Sequence, residues 1–252
     1  MSRSRRYDLP PPRGETYRHL TQRPLYGLAF CLAPLAVYHF GALRYGTKVL
    51  APLHMRWALE HLNATGWFLP PLAIVVVLLA QHLLHRHRWS VRPAVLAGML
   101  AESLLWVVPL YCLNLVNDWL FRPVEPTSRA VAMLAAGGGP RAADLFTAMG
   151  AGVYEEFLFR LVLISLVLLV LVDFFRVSRG TAAAVAVILS GVLFSLYHFS
   201  WFQLTGQEMF HFGLFVFRAL AGVYLGGLFV HRGFGVAVGT HMAWNVAVAL
   251  TA

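Results

Sequence analysis

Charge is what this 252-residue chain has least of: Asp, Glu, Lys and Arg together make up 12% of it. With Gly counted in place of Tyr, about 64% of the residues are apolar, against about 45–50% in soluble domains. Such a composition argues against a water-soluble globule. It also argues against disorder, which needs few apolar residues and a high net charge. There are only two cysteines, Cys31 and Cys112, both in apolar stretches, so the chain offers no disulfide framework and no thiolate zinc site. It has no internal repeat, no HExxH metalloprotease signature and no G-x-S-x-G nucleophile elbow.

What charge there is leans positive, with 20 Lys+Arg against 11 Asp+Glu. Arg3, Arg5, Arg6, Arg13, Arg18 and Arg23 precede the first long apolar run, which reads as a membrane flank rather than a nucleic-acid surface. Three consecutive prolines, Pro10 to Pro12, separate these arginines, and apolar segments continue to the last residue. A cleaved signal peptide is therefore not expected, and residues 1–24 are read as a basic cytoplasmic segment.

Stretches long and apolar enough to cross the hydrocarbon core run over 25–43, 67–84, 93–116, 181–199, 212–230 and 234–252. A shorter run, 161–172, reaches spanning length when extended back to Leu145. The expected fold is an all-α polytopic membrane bundle of about seven transmembrane helices. Residues 25–122 form its N-terminal helices, 123–142 a loop and 143–252 a C-terminal bundle. With the N-terminus in the cytoplasm, Arg86, Arg88, Arg92, Arg176, Arg179 and Arg232 fall inside. The segment 200–211, which has no Lys or Arg, falls outside, as the positive-inside rule asks. Arg44, Lys48 and Arg56 fit this order less well, and their segment is read as an outer loop or an interfacial helix.

An ionisable side chain inside a bilayer is costly and marks a functional hypothesis. Glu155-Glu156 and Arg160 stand on one apolar helix, with Glu156 and Arg160 at the i, i+4 spacing and polarity of an ion pair. Glu155 lies about 100° round the helix and is less neutralised. The two carboxylates thus have different jobs available, a proton acceptor and a fixed charge; a charged cluster snorkelling from a helix end is the bland alternative. Phe194 and His198 share a helix face, as do His241 and Asn245 in the last apolar helix. Each of these could equally be an interfacial or interhelical structural group. Gly222/Gly226 and Gly235/Gly239 stand at GxxxG spacing, which permits close helix approach. Glu102, Asn114 and Arg218 also sit in apolar surroundings and receive no role. A base-capable Glu, a second carboxylate, two His and an Asn suit activation of water against a carbonyl. Zinc held by Glu155, His198 and His241 is the other use of the same set.

The order EExxxR, FxxxH, HxxxN on successive hydrophobic helices resembles the CAAX prenyl protease and bacteriocin-processing family of intramembrane endopeptidases. The likeness covers residues 145–252. The resemblance implies a helix bundle with an intramembrane polar cavity that cleaves a peptide bond near the C-terminus of a membrane-anchored or lipid-modified protein. It implies that Glu155 and His198 activate the attacking water and that His241 and Asn245 stabilise the oxyanion. Glu156 matches the second motif glutamate, Arg160 the arginine that braces the motif, and Phe194 its structural aromatic. No metal is required in this reading, zinc being the one cofactor the family description leaves open. The partners expected are a protein or peptide substrate and the lipid bilayer, with no nucleic acid, in the inner membrane of a bacterium. A non-catalytic immunity or binding protein and a proton-coupled transporter are the rival functions.

Overall fold

The computed structural model describes residues 15–46, 49–61, 63–121 and 142–251. Arg3, Arg5, Arg6, Arg13, Lys48 and nearly all of the expected loop 123–142 lie outside the described residues. Every regular element among the described residues is helical: α1 (Tyr17–Thr21), α2 (Pro24–Tyr45), α3 (Leu50–Glu60), α4 (Leu69–Leu84), α5 (Pro93–Leu105), α6 (Val107–Phe121), α7 (Ala142–Phe174), α8 (Arg179–Tyr197), α9 (Trp201–Leu204), α10 (Phe212–Arg232) and α11 (Phe234–Thr251).

Five of these are long and apolar enough to cross a membrane: α2, the α5–α6 pair, α7, α8 and α10. The shorter apolar helices α4 and α11 complete the seven segments expected from hydropathy. The chain is an integral, multi-pass membrane protein. At 11 residues, α3 extends only ~16 Å and cannot span. It buries Ala51, Pro52 and Met55 while Leu50, Leu53 and Trp57 stay exposed, the pattern of a helix lying along the bundle's end.

Prolines set several of the boundaries. Pro24 and Pro93 stand at the first positions of α2 and α5, where the missing N–H costs nothing. Pro109 falls just after the break at Trp106 between α5 and α6. Its ring would clash with the carbonyl four residues back, and its nitrogen cannot continue the helix ladder. The Trp106 carbonyl at the break accepts a hydrogen bond from Tyr224 Oη at 2.8 Å, which ties the break to α10. Helix α7 is regular from Ala142 to Glu156 and widens into π-type winding over Phe157–Ile164 and again over Leu169–Phe174. Ser190 Oγ of α8 donates to Phe159 O within the first wide segment at 2.8 Å. Loosened turns of this kind recur at functional sites.

Small residues let the C-terminal helices approach closely. A Cβ on Gly222 would fall 2.7 Å from Gly191 Cα, and one on Gly226 would fall 3.1 Å from Val187 Cγ1. The antiparallel helices α8 and α10 are therefore in backbone contact at mid-height, the use expected of the Gly222/Gly226 spacing. Gly235 and Gly239 serve α11 in the same way, against Gly27 and Met99 and against Ser103. The reversal from α10 to α11 turns on Gly233 at φ 91, where a side chain would strike the Thr21 carbonyl.

These contacts sort the helix ends onto two faces of the bundle. Gln22 Nε2 donates to His231 O at 2.7 Å, and Arg92 N donates to Tyr26 Oη at 3.2 Å. This gathers the start of α2, the start of α5 and the end of α10 on one face. The antiparallel pairing of α8 with α10 adds the α7–α8 turn to it. On the opposite face the rings of Tyr45 and Phe146 stack at the end of α2 and start of α7. Phe121 meets Phe212 there, at the end of α6 and start of α10.

Candidate functional site

Three helices carry one polar cluster into the apolar bundle. Glu155 stands on α7 just before the winding widens, His198 caps the C-terminal end of α8, and His241 lies two turns into α11. Glu155 Oε2 is 3.7 Å from His198 Nε2 and 3.7 Å from His241 Nε2. Glu155, His198 and His241, 86 positions apart at the extremes, thus converge on one point.

The outer nitrogens of the two imidazoles are already engaged, which decides what the inner ones present. His198 Nδ1 is 2.8 Å from Phe194 O, a group that can only accept. His241 Nδ1 is 2.7 Å from Glu156 Oε1, an acceptor when ionised. In the neutral ring Nδ1 is then the donor in both cases, leaving each Nε2 with a lone pair turned toward Glu155. Lone pairs of one carboxylate and two imidazoles around one point need a hydrogen donor between them. A separation of 3.7 Å exceeds a direct hydrogen bond and suits a bridging water.

Behind this point lies a rigid brace. Arg160 Nη1 is 3.1 Å from Glu156 Oε1, with both side chains wholly buried, and Arg160 Nη2 donates to Gly222 O at 3.2 Å. The guanidinium stacks 4.5 Å above the Phe194 ring. That ring in turn meets the imidazoles of His198 and His241 edge-on, at 4.7 and 5.7 Å. Arg160 therefore fixes Glu156, and Glu156 fixes His241, in the manner of an acid orienting a histidine. Side-chain exposure rises outward along the cluster: 0% for Arg160 and Glu156, 6% for His241, 9% for Glu155 and 23% for His198.

Asn245 sits one turn beyond His241, half-buried, with its amide directed at Ala148 O at 3.5 Å. That contact is at the limit of a hydrogen bond and leaves the Asn245 side chain weakly committed. Gly152 is what lets α11 come this near to α7, since a Cβ there would meet Met242 Cα and N at 3.0 Å.

Two hydrogen-bonded pairs flanking the site have no counterpart in the motif reading. His39 Nε2 pairs with Tyr154 Oη at 2.8 Å, and His54 Nδ1 with Tyr197 Oη at 2.6 Å. Their only trace in the sequence is position: Tyr154 precedes Glu155 and Tyr197 precedes His198. A cavity of about 240 Å³ between α2, α3 and α4, lined among others by Tyr38, His39, Val49, Arg56 and Trp67, adjoins the site through the Tyr38 and His39 contacts with Tyr154.

The residues left without a role by sequence have separate places. Glu102 is the centre of a second ionic knot: it receives Arg232 Nη2 at 2.8 Å, Trp106 Nε1 at 3.0 Å and Tyr17 Oη at 2.7 Å. Burial and the bond to Glu102 push the Tyr17 hydroxyl up to about 12, so it remains a donor throughout the neutral range. Arg218 places its guanidinium 5.5 Å from the Phe199 ring centroid, and Asn114 is half-buried on α6.

Among the described residues no group of three His, Cys, Asp or Glu is arranged to hold a metal ion. The zinc set Glu155, His198 and His241 forms the cluster just described but not a closed cage. No curated protein and no solved structure gives a match to the chain. Residues 139–247, which hold all three motifs, match the family model Rce1-like, type II CAAX prenyl endopeptidase, the protease family that the motif spacing resembles.

Proposed function

We propose that the chain is an intramembrane endopeptidase that hydrolyses a peptide bond near the C-terminus of a membrane-anchored or lipid-modified protein. The observation that carries this reading is the convergence of Glu155 Oε2 with two imidazole Nε2 atoms at 3.7 Å inside an apolar bundle. Glu155 takes a proton from a water held at that point, and the His198 Nε2 lone pair accepts a hydrogen bond from the O–H that remains and aims it. The hydroxide oxygen bonds to the scissile carbonyl carbon as the C=O π pair moves onto oxygen. The Asn245 amide donates to that oxyanion, and His241 does so from Nε2 when its ring carries a proton on both nitrogens. Glu156, 2.7 Å behind the ring and held by Arg160, offsets the imidazolium charge. Collapse re-forms the carbonyl, breaks the C–N bond and passes the proton from Glu155 to the departing amine.

Glu155→Gln preserves the shape of the side chain and removes the base. It is expected to lower turnover by about 10²–10⁴-fold with an unchanged melting temperature. Near-normal turnover in purified Glu155→Gln protein would remove Glu155 from this role. Zinc is tested apart from this: protein stripped of metal by chelation is expected to keep its activity. Loss restored by stoichiometric zinc would make Glu155, His198 and His241 its ligands instead.

A further inference from the structure

The geometry points to a site that opens on the non-cytoplasmic face of the membrane, so that its substrates present the cleaved segment on the exported side. This inference rests on the endopeptidase reading for the word substrate, and on charge and packing for the orientation.

Arginines are divided unequally between the two faces of the bundle. The face that gathers the starts of α2 and α5 and the end of α10 carries Arg18 and Arg23, then Arg86, Arg88 and Arg92, and Arg232, with Arg176 and Arg179 in the α7–α8 turn. The described residues of the opposite face carry Arg44, Arg56, the latter 3.6 Å from Glu60, and Arg218, whose guanidinium lies 5.5 Å from the Phe199 ring. The segments outside the described residues add four basic residues before α1, and four in the two connections that the chain makes at the opposite face. The first face remains the more basic by a wide margin, and by the positive-inside rule it is cytoplasmic.

The cluster is sealed toward that basic face and open toward the other. Arg160 and Glu156 have no exposed surface, and Arg160 Nη2 is tied to Gly222 at mid-height of α10. Exposure then grows through Glu155 to His198, which ends α8 on the arginine-poor face. Past His198 the path meets Tyr197, whose hydroxyl bonds His54 of α3 in an exposed contact. Beside it runs the segment 198–211, which contains no Lys or Arg and holds Glu208, bonded to Ser200. The mouth of the site is thus formed by α3 and this segment. A bilayer-anchored protein reaching Glu155 from there must carry its scissile bond on the same side.

The test is orientation in intact cells. Cys112, the exposed cysteine, is replaced by Ser, while Cys31 is fully buried and retained. Single cysteines are introduced as Gln207→Cys at the mouth and Ser90→Cys on the basic face. Right-side-out spheroplasts are treated with a membrane-impermeant maleimide. Gln207→Cys is expected to label in intact spheroplasts and Ser90→Cys only after permeabilisation. The opposite pattern, or equal labelling of both, overturns the inference. Alkaline phosphatase fused after Ala252 is the independent measurement: α11 ends on the mouth's face, so the fusion is expected to be active, and an inactive fusion on stably inserted protein contradicts the assignment. Both readouts are repeated in the Glu155→Gln background. Orientation is thereby measured whether or not the chain cleaves peptides, and failure of one reading does not masquerade as failure of the other.

Discussion

Glu156→Gln separates the brace from the chemistry more cleanly than any other single change. The amide oxygen of Gln can still accept from His241 Nδ1, so the imidazole keeps a partner of nearly the same shape. What is lost is the charge opposite Arg160, whose guanidinium lies 3.1 Å away with no exposed surface. Removing one partner of a fully buried ion pair costs about 3–5 kcal/mol, because the surviving charge is left in low dielectric without compensation. For a chain of this size each kcal/mol shifts the melting temperature by about 2–4 °C, so the variant is expected to melt about 6–20 °C below the parent. The assay is thermal unfolding in detergent, with Glu155→Gln as the control that should not move. Adding Arg160→Met to Glu156→Gln removes the orphaned charge, and the double variant is expected to recover part of the loss, as coupled neighbours do. A melting temperature for Glu156→Gln equal to that of Glu155→Gln would refute the brace, since Arg160 would then not depend on Glu156.

Gly191→Val should be among the most damaging single substitutions away from the polar cluster. Its first added carbon alone would lie 2.7 Å from Ala219 O and from Val223 N, so α8 and α10 must part, and His198 moves with α8; activity and melting temperature are expected to fall together, and an active, stable variant would show that the contact is dispensable. Glu102→Gln loosens the knot with Arg232, Trp106 and Tyr17, a half-buried group with side-chain exposures of 17% and 16% at the ion pair. A loss of about 1–3 kcal/mol is expected with turnover per folded molecule unchanged, read by comparing melting with active-site titration. Asn245→Ala should lower turnover by about 10²–10³-fold if its amide meets the oxyanion, and a normal rate would leave Asn245 as a helix-packing residue.

The seven apolar segments, five of them helices of spanning length among the described residues, were legible because the bilayer imposes a length and a composition that local sequence must satisfy, and α2, α4 and α7 begin and end within a few residues of the apolar runs. The Glu156–Arg160 pair was legible for a local reason too, since four residues along one helix bring side chains together whatever surrounds them. The role of Glu102 was not, because Arg232 and Tyr17 are 130 and 85 positions away and nothing in the α5 pattern points to them. The widening of α7 at Phe157 also escaped, since the apolar run there reads as an ordinary helix.

By itself, the amino-acid order determined which segments enter the membrane, which polar side chains they carry inward, and which of those share a helix face. Only the tertiary structure decided that Glu155 faces both imidazoles while Glu156 turns to His241 and Arg160. Two adjacent glutamates differ by a rotation about one helix axis, and that rotation acquires meaning only once Gly152, Gly191 and Gly222 let α11 and α10 close on α7 and α8. Which ring nitrogen meets which carboxylate is settled by contacts between helices, and no local pattern encodes it.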